Sequence, residues 1–193
     1  MGYWRTLGRD YLESKGVTNV SDEVLEFIKP MTVTQSAEYF IAEFGLSGSP
    51  EIVAAAMNSI MENHYRFDIP LKQGVKDYLR SLSERNVKMC VASATAEHLM
   101  EACLLRNGVH SYFDFVLSCE SVGVGKDNPD VYFEAAKRLG AAPSEIAVYE
   151  DVEYAATTAR NAGFYVVGVY DEASKNSWER LKNIAHETVT NFK

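Results

Sequence analysis

The sequence predicts an α/β protein in which a doubly wound parallel sheet follows a purely helical first third. Three observations predict it. No convincing strand pattern precedes Pro70, strands and helices alternate regularly after it, and the apolar run from Ile146 to Tyr149 delivers two adjacent carboxylates, Glu150 and Asp151. Alternation at this spacing builds parallel sheets with helices on their faces. Carboxylates at a strand's end fall on the carboxyl edge, where such sheets bind ligands.

In the first third, Tyr3, Trp4, Leu7, Tyr11 and Leu12 recur at helical spacing until Gly16. Ser21 can cap a second helix, with Asp22 and Glu23 in the turn where the helix dipole favours negative charge. Thr32 or Thr34 can open a third, carrying Phe40, Ile41 and Phe44 and stopping at Gly45. Ser49 followed by Pro50 opens a fourth, running to about Tyr65. The division falls near residues 68–72, giving a helical unit over 1–69 and an α/β unit over 70–193. Beyond it the pattern predicts helix over 74–83, strand over 87–92, helix over 97–106 and strand over 113–117. A helix capped by Asn128-Pro129 reaches Leu139, and the strand ending at Tyr149 should be buried. The small-residue helix that follows carries Ala155, Ala156, Ala159 and Ala162 and stops at Gly163. A strand over 164–169, a helix over 177–185 and a short strand over 188–192 complete the chain.

A formal net charge of −8 argues against a general nucleic-acid binder, which needs clustered Lys and Arg. No apolar run is long enough for a bilayer and no signal pattern opens the chain, so no membrane partner and a cytoplasmic location are expected. Cys90, Cys103 and Cys119, an odd number without a C-x-x-C pair, read as reduced packing residues. The histidines, His64, His98, His110 and His186, show no metal-type spacing.

Three strand ends carry the chemistry. Ser93-Ala94-Thr95 places hydroxyls and backbone N–H groups just before a helix, a natural phosphate seat. Gly123-Val124-Gly125-Lys126 brings one cation forward ahead of a capped helix, and it is not a Walker loop because Asp127 stands where Ser or Thr is needed. Glu150-Asp151 offers oxygen ligands for a hard cation such as Mg²⁺, although a helix N-terminus also favours such acids. A hydroxyl, a lysine and an acid pair together suit phosphoryl transfer, where charge must be positioned and neutralised.

The order Ser93, Lys126, Glu150-Asp151 resembles motifs II, III and IV of the haloacid dehalogenase superfamily, in its phosphoglycolate phosphatase and β-phosphoglucomutase branch. Pro70-Leu71-Lys72-Gln73-Gly74, Val91-Ala92-Ser93 and Gly125-Lys126-Asp127-Asn128-Pro129-Asp130 carry the likeness together with Tyr149-Glu150-Asp151. The resemblance implies a helical cap over the core and Mg²⁺-dependent hydrolysis of a small phosphorylated metabolite by a monomer or weak homodimer. It implies a catalytic Lys126 and Ser93, phosphate bound by Ser93, Ala94, Thr95 and Lys126, and metal held by Asp151 and Glu150. That family opens with a strand ending in D-x-D, whose first Asp is the nucleophile and second the acid/base. No such motif occurs here. In the family that strand is central, flanked by those that here end near Ser93 and Glu150, so a shortened reading frame is expected, with D-x-D encoded upstream of Met1.

Other departures are Asp127 where the family has proline, and Val152 and Ala155 where it has Ser and Gly. Trp4 stands where mutases of this branch often carry His, which favours the phosphatase over the mutase. A non-catalytic binding module is the third reading, if the D-x-D strand is truly absent. Trp4, Arg5 and Arg9 are candidates to face substrate, or equally to serve packing and surface.

Overall fold

The computed structural model describes residues 2–192, with side chains from Thr6 to Phe192. The proposed roles of Trp4 and Arg5 therefore lie outside the described side chains.

The helical part consists of α1 (Gly2–Ser14), α2 (Asp22–Ile28), α3 (Val33–Phe44) and α4 (Pro50–Asn63). Thr32 opens α3 with a reciprocal cap: its Oγ1 accepts from the Gln35 N–H at 3.1 Å and its own N–H donates to Gln35 Oε1 at 2.8 Å. Such a cap contributes about 1 kcal/mol by satisfying donors that the helix cannot. Gly45 closes α3 in the left-handed region at φ +66°, where an L side chain is strained. Ser49 caps α4, accepting from Ile52 at 3.4 Å, and Pro50 takes its first position. Ser21 has the extended backbone of a cap, but its side chain makes no cap hydrogen bond. Leu7, Leu12, Phe40, Val53 and Met61 bury together in this part, joined by Leu99 from the α/β part. Arg9 bonds Asp22 at 2.6 Å and ties α1 to the start of α2.

A π turn, His64–Asp68, leads α4 into α5 (Val75–Glu84). Then come β1 (Cys90–Ser93), α6 (Glu97–Arg106), β2 (Phe115–Ser118) and α7 (Cys119–Val122). The chain continues through α8 (Asp130–Leu139), β3 (Ala147–Glu150) and α9 (Glu153–Asn161). It ends with β4 (Tyr165–Val169), α10 (Trp178–Ile184) and β5 (Glu187–Val189). β1 starts later than the apolar pattern predicts. Ahead of it, the Met89 N–H donates to the Asp114 carboxylate at 2.9 Å, and the Asp114 N–H donates to the Met89 carbonyl at 2.8 Å.

Every pairing is parallel, as expected, but the sheet comes in two pieces. β1 pairs only with β2, from Cys90↔Phe115 to Ser93↔Ser118, and β3 pairs with β4, which pairs with β5. One apolar cluster serves both pieces: Cys90, Ala92 and Leu117 share it with Val148, Val166 and the small-residue face of α9. The break lies between β1 and β3.

Its mark is visible in burial. Central strands of doubly wound sheets are covered on both faces, yet β1 is partly exposed along its length, and Ala147 and Tyr149 of β3 are exposed. The expectation that the strand ending at Tyr149 is buried is therefore corrected. Tyr149 retains 40% exposure, and the rings of Tyr78 of α5 and Phe192 of the C-terminal tail pack against its own. That tail passes so close to Gly74 that a Cβ there would overlap the Phe192 carbonyl. Among the described residues no helix is long and apolar enough to cross a membrane.

Candidate functional site

β1 ends at the expected phosphate seat. The Ser93 hydroxyl donates to Thr95 Oγ1 at 3.1 Å, and Ser93 Oγ accepts from the Thr95 N–H at 3.1 Å. Thr95 is 4% exposed, and its Oγ1 also lies 3.0 Å from the phenol oxygen of Tyr65 in the π turn. The Ser93 hydroxyl thus lies at the end of β1 beside Ala94, bonded to both the hydroxyl and the N–H of Thr95.

β2 delivers the lysine loop. Ser118 caps α7 by accepting from the Glu120 N–H at 3.2 Å, and Gly123 ends that short helix at φ +80°. The chain then turns through Gly125, whose carbonyl accepts from the Asn128 N–H at 3.1 Å, so that Lys126 projects inward. Its ammonium forms an ion pair with Glu150 at the end of β3; the two side chains are 16% and 6% exposed. Glu150 Oε1 also accepts from the Tyr132 phenol of α8 at 2.9 Å. Burial works against the Lys126 charge, but the Glu150 carboxylate and its hydrogen bond outweigh it, holding the ammonium above the usual lysine range. Burial, then the Glu150 charge, pushes the Tyr132 phenol far up, which keeps it a proton donor to Glu150.

Glu150 and Asp151 part company here. Glu150 is bound to Lys126 and Tyr132, so it orients the lysine. Asp151, half-buried beside it, has its carboxyl pushed up first by burial and then by Glu150 and Asp171, with Lys126 opposing. Among the described residues no group of three or more His, Cys, Asp or Glu side chains gathers around a metal position. The cysteines are free, and burial pushes the thiols of Cys90 and Cys119 up to about 11, which suits packing and not nucleophilic attack.

Residues 29–34 of the helical part lie over this region. Glu120 accepts from the Thr34 N–H at 3.1 Å and from its hydroxyl at 2.9 Å, placing a carboxylate at the start of α3 where the helix dipole favours it. The Tyr154 phenol donates to the Lys29 carbonyl at 3.0 Å, and the Pro30 carbonyl presses on Gly125. Sequence reasoning gave no role to Tyr65, Glu120, Tyr132 or Tyr154. Only Tyr132 carried a signal, its place six residues past Lys126 on the inward face of α8.

The sequence profile of the haloacid dehalogenase-like hydrolases matches residues 6–169. The chain belongs to that family. A glyceraldehyde 3-phosphate phosphatase of Methanopyrus kandleri is 34% identical over 113 residues, 58% of this chain and 47% of that protein. The fructose-1-phosphate phosphatase YqaB of Escherichia coli is 33% identical over 81 residues, 42% of this chain and 43% of that protein. The chain thus matches less than half the length of these curated relatives. Among solved structures, a β-phosphoglucomutase from Clostridium difficile superposes with a TM-score of 0.78 at 18% identity, covering 98% of this chain and 84% of that one. That likeness places the haloacid dehalogenase-like fold. The relatives' names agree in kind with the phosphatase expectation.

Proposed function

We propose that the chain carries the charged half of a phosphomonoesterase site, which hydrolyses small phosphorylated metabolites with Mg²⁺ through an aspartyl-phosphate. The observation that supports this reading best is the buried Lys126–Glu150–Tyr132 cluster next to Asp151, set at strand ends like the Ser93 hydroxyl. A lysine held charged in a sparsely solvated place can neutralise phosphoryl oxygens far more strongly than one in water. Glu150 and Tyr132 hold that lysine, Ser93 and the Ala94 backbone receive phosphoryl oxygens, and the helical part serves as the cap that excludes water. The relatives named as phosphatases of triose and hexose phosphates favour hydrolysis over mutase chemistry and suggest a phosphorylated carbohydrate as substrate.

Mg²⁺ typically keeps several waters and takes one or two protein carboxylates plus substrate phosphate. Asp151 fits that role: burial and two neighbouring acids make its negative charge unfavourable, and a cation would relieve it. Glu150 would contribute through its second oxygen or through water. The metal would supply charge neutralisation at the phosphoryl group. The nucleophilic and acid/base aspartates belong on a parallel strand seated in the break between the two sheet pieces, where both have unpaired edges.

The Asp151 assignment has a direct test. Because its carboxyl is raised in the folded state, the native protein holds its proton more tightly, so Asp151 costs stability as pH rises through that raised value. Asp151→Asn should therefore raise Tm at neutral pH. Millimolar Mg²⁺ should raise the Tm of the parent and leave that of Asp151→Asn unmoved. An equal Mg²⁺ shift in both proteins would remove Asp151 from the metal site.

A further inference from the structure

We propose that Tyr65 is a positioning residue for the phosphate seat, acting through Thr95 on the Ser93 hydroxyl. This inference rests on the phosphoryl-site reading above. The observation behind it is a row of three hydroxyls: Tyr65 to Thr95 Oγ1 at 3.0 Å, and Thr95 Oγ1 to Ser93 Oγ at 3.1 Å. The row starts in the π turn between α4 and α5 and ends at Ser93.

A hydroxyl has one proton and two lone pairs, so the direction of such a row matters. As the row stands, the Ser93 hydroxyl is engaged with Thr95 Oγ1 at 3.1 Å and not with the seat. An anion in the seat needs the Ser93 proton. When Ser93 turns to donate outward, Thr95 Oγ1 loses a donor, and at 4% exposure Thr95 has little water with which to replace it. Tyr65 supplies the replacement. A phenol is a better donor than an aliphatic hydroxyl, having a pKa near 10. The row then runs from Tyr65 to Thr95, from Thr95 to Ser93, and from Ser93 to the anion, each bond polarising the next. The Thr95 N–H, already bonded to Ser93 Oγ, steadies the same geometry.

Tyr65 is held for this task. It sits in the π turn His64–Asp68, a wider turn that often marks functional positions. The turn packs along α6 and is fastened at its far end. There the Asn107 side chain donates to the Ile69 carbonyl at 3.2 Å, Arg106 donates to the same oxygen, and Arg106 Nε donates to the Tyr65 carbonyl at 3.4 Å. The phenol therefore approaches Thr95 from a fixed backbone.

The test is titration of this chain with inorganic phosphate, followed by ³¹P NMR, for the parent, Tyr65→Phe, Ser93→Ala, Thr95→Val and the Tyr65→Phe/Thr95→Val pair. Tyr65→Phe removes one oxygen and keeps the ring's packing. It should weaken phosphate binding about three- to tenfold, the range of one hydrogen bond's net worth. In the Thr95→Val background the same change should have no further effect, a non-additivity that a merely structural tyrosine would not show. If Ser93→Ala weakens binding but Tyr65→Phe does not, or if Tyr65→Phe acts equally in both backgrounds, the relay is overturned and the site reading stands. If the parent and Ser93→Ala bind phosphate alike, or neither binds, the site reading falls and takes the relay with it.

Discussion

Replacing Lys126 with methionine is expected to lower stability by about 3–5 kcal/mol at neutral pH, because it leaves a buried carboxylate without its cation. Glu150 is 6% exposed at its side chain and would keep only the Tyr132 phenol as a partner. The loss should depend on pH in a defined direction. Without Lys126 the buried Glu150 carboxylate has no counter-ion, so the loss should be present at neutral pH. In the parent the lysine gives the pH dependence its sign. Its pKa is raised in the folded state, so its contribution is complete below the ordinary lysine pKa and is lost only on going more alkaline. Pairing Lys126→Met with Glu150→Gln should restore most of the loss, since a neutral amide needs no counter-ion and can still accept from Tyr132. Denaturant melts of the three variants from pH 5 to 8 check this. A Lys126→Met protein as stable as the parent across that range would mean that the pair is not buried as described. In a completed site, the same substitution should lower turnover about 10²–10³-fold, the usual cost of one preorganised charge at a transition state.

Gly125→Ala should be nearly as damaging, for a different reason. A Cβ at Gly125 would overlap the Pro30 carbonyl and come within 2.9 Å of Asp127 Oδ1. The backbone there cannot yield as a flexible side chain can, so residues 29–30 must move. That movement would pull the Lys29 carbonyl from Tyr154 and disturb the Thr34 bonds to Glu120. We expect a loss of about 1–3 kcal/mol, the range for overpacking. Faster proteolysis within residues 29–34 should accompany it. Tyr154→Phe, which removes one of these bonds without a clash, should give a smaller effect in the same direction. Equal protection of residues 29–34 in Gly125→Ala and the parent would show that the two parts are not locked together there.

These expectations also show what the sequence could disclose. Local signals were legible because local chemistry decides them: Thr32, Ser49 and Gly45 bound their helices as capping rules require, and residues 97–106 form the predicted helix. The order of motifs brought Lys126 to Glu150 across 24 residues. The different duties of Glu150 and Asp151 were not legible, because two adjacent carboxylates look alike on paper. Adjacent residues at a strand end point in different directions, so only one could meet Lys126. The Tyr65–Thr95, Thr34–Glu120 and Lys29–Tyr154 bonds span 30, 86 and 125 residues. No periodicity or cap rule reaches that far. The exposure of β3 was hidden too: its apolar run is suited to a place between two neighbours, and only one neighbour is present here.

The proposed phosphatase site has Lys126, Glu150 and Asp151 in this chain and lacks the nucleophilic and acid/base aspartates, which a strand seated in the break between the two sheet pieces would bring. The chain should be joined ahead of Met1 to an apolar strand ending in Asp-x-Asp, and hydrolysis of triose and hexose phosphates measured with Mg²⁺, beside the same protein carrying Asp151→Asn. Release of inorganic phosphate is expected from the joined protein, none from the chain alone, and turnover should be lost in Asp151→Asn. If hydrogen exchange shows β1 and β3 newly protected and no phosphoester is hydrolysed, or if turnover survives Asp151→Asn, the account is contradicted.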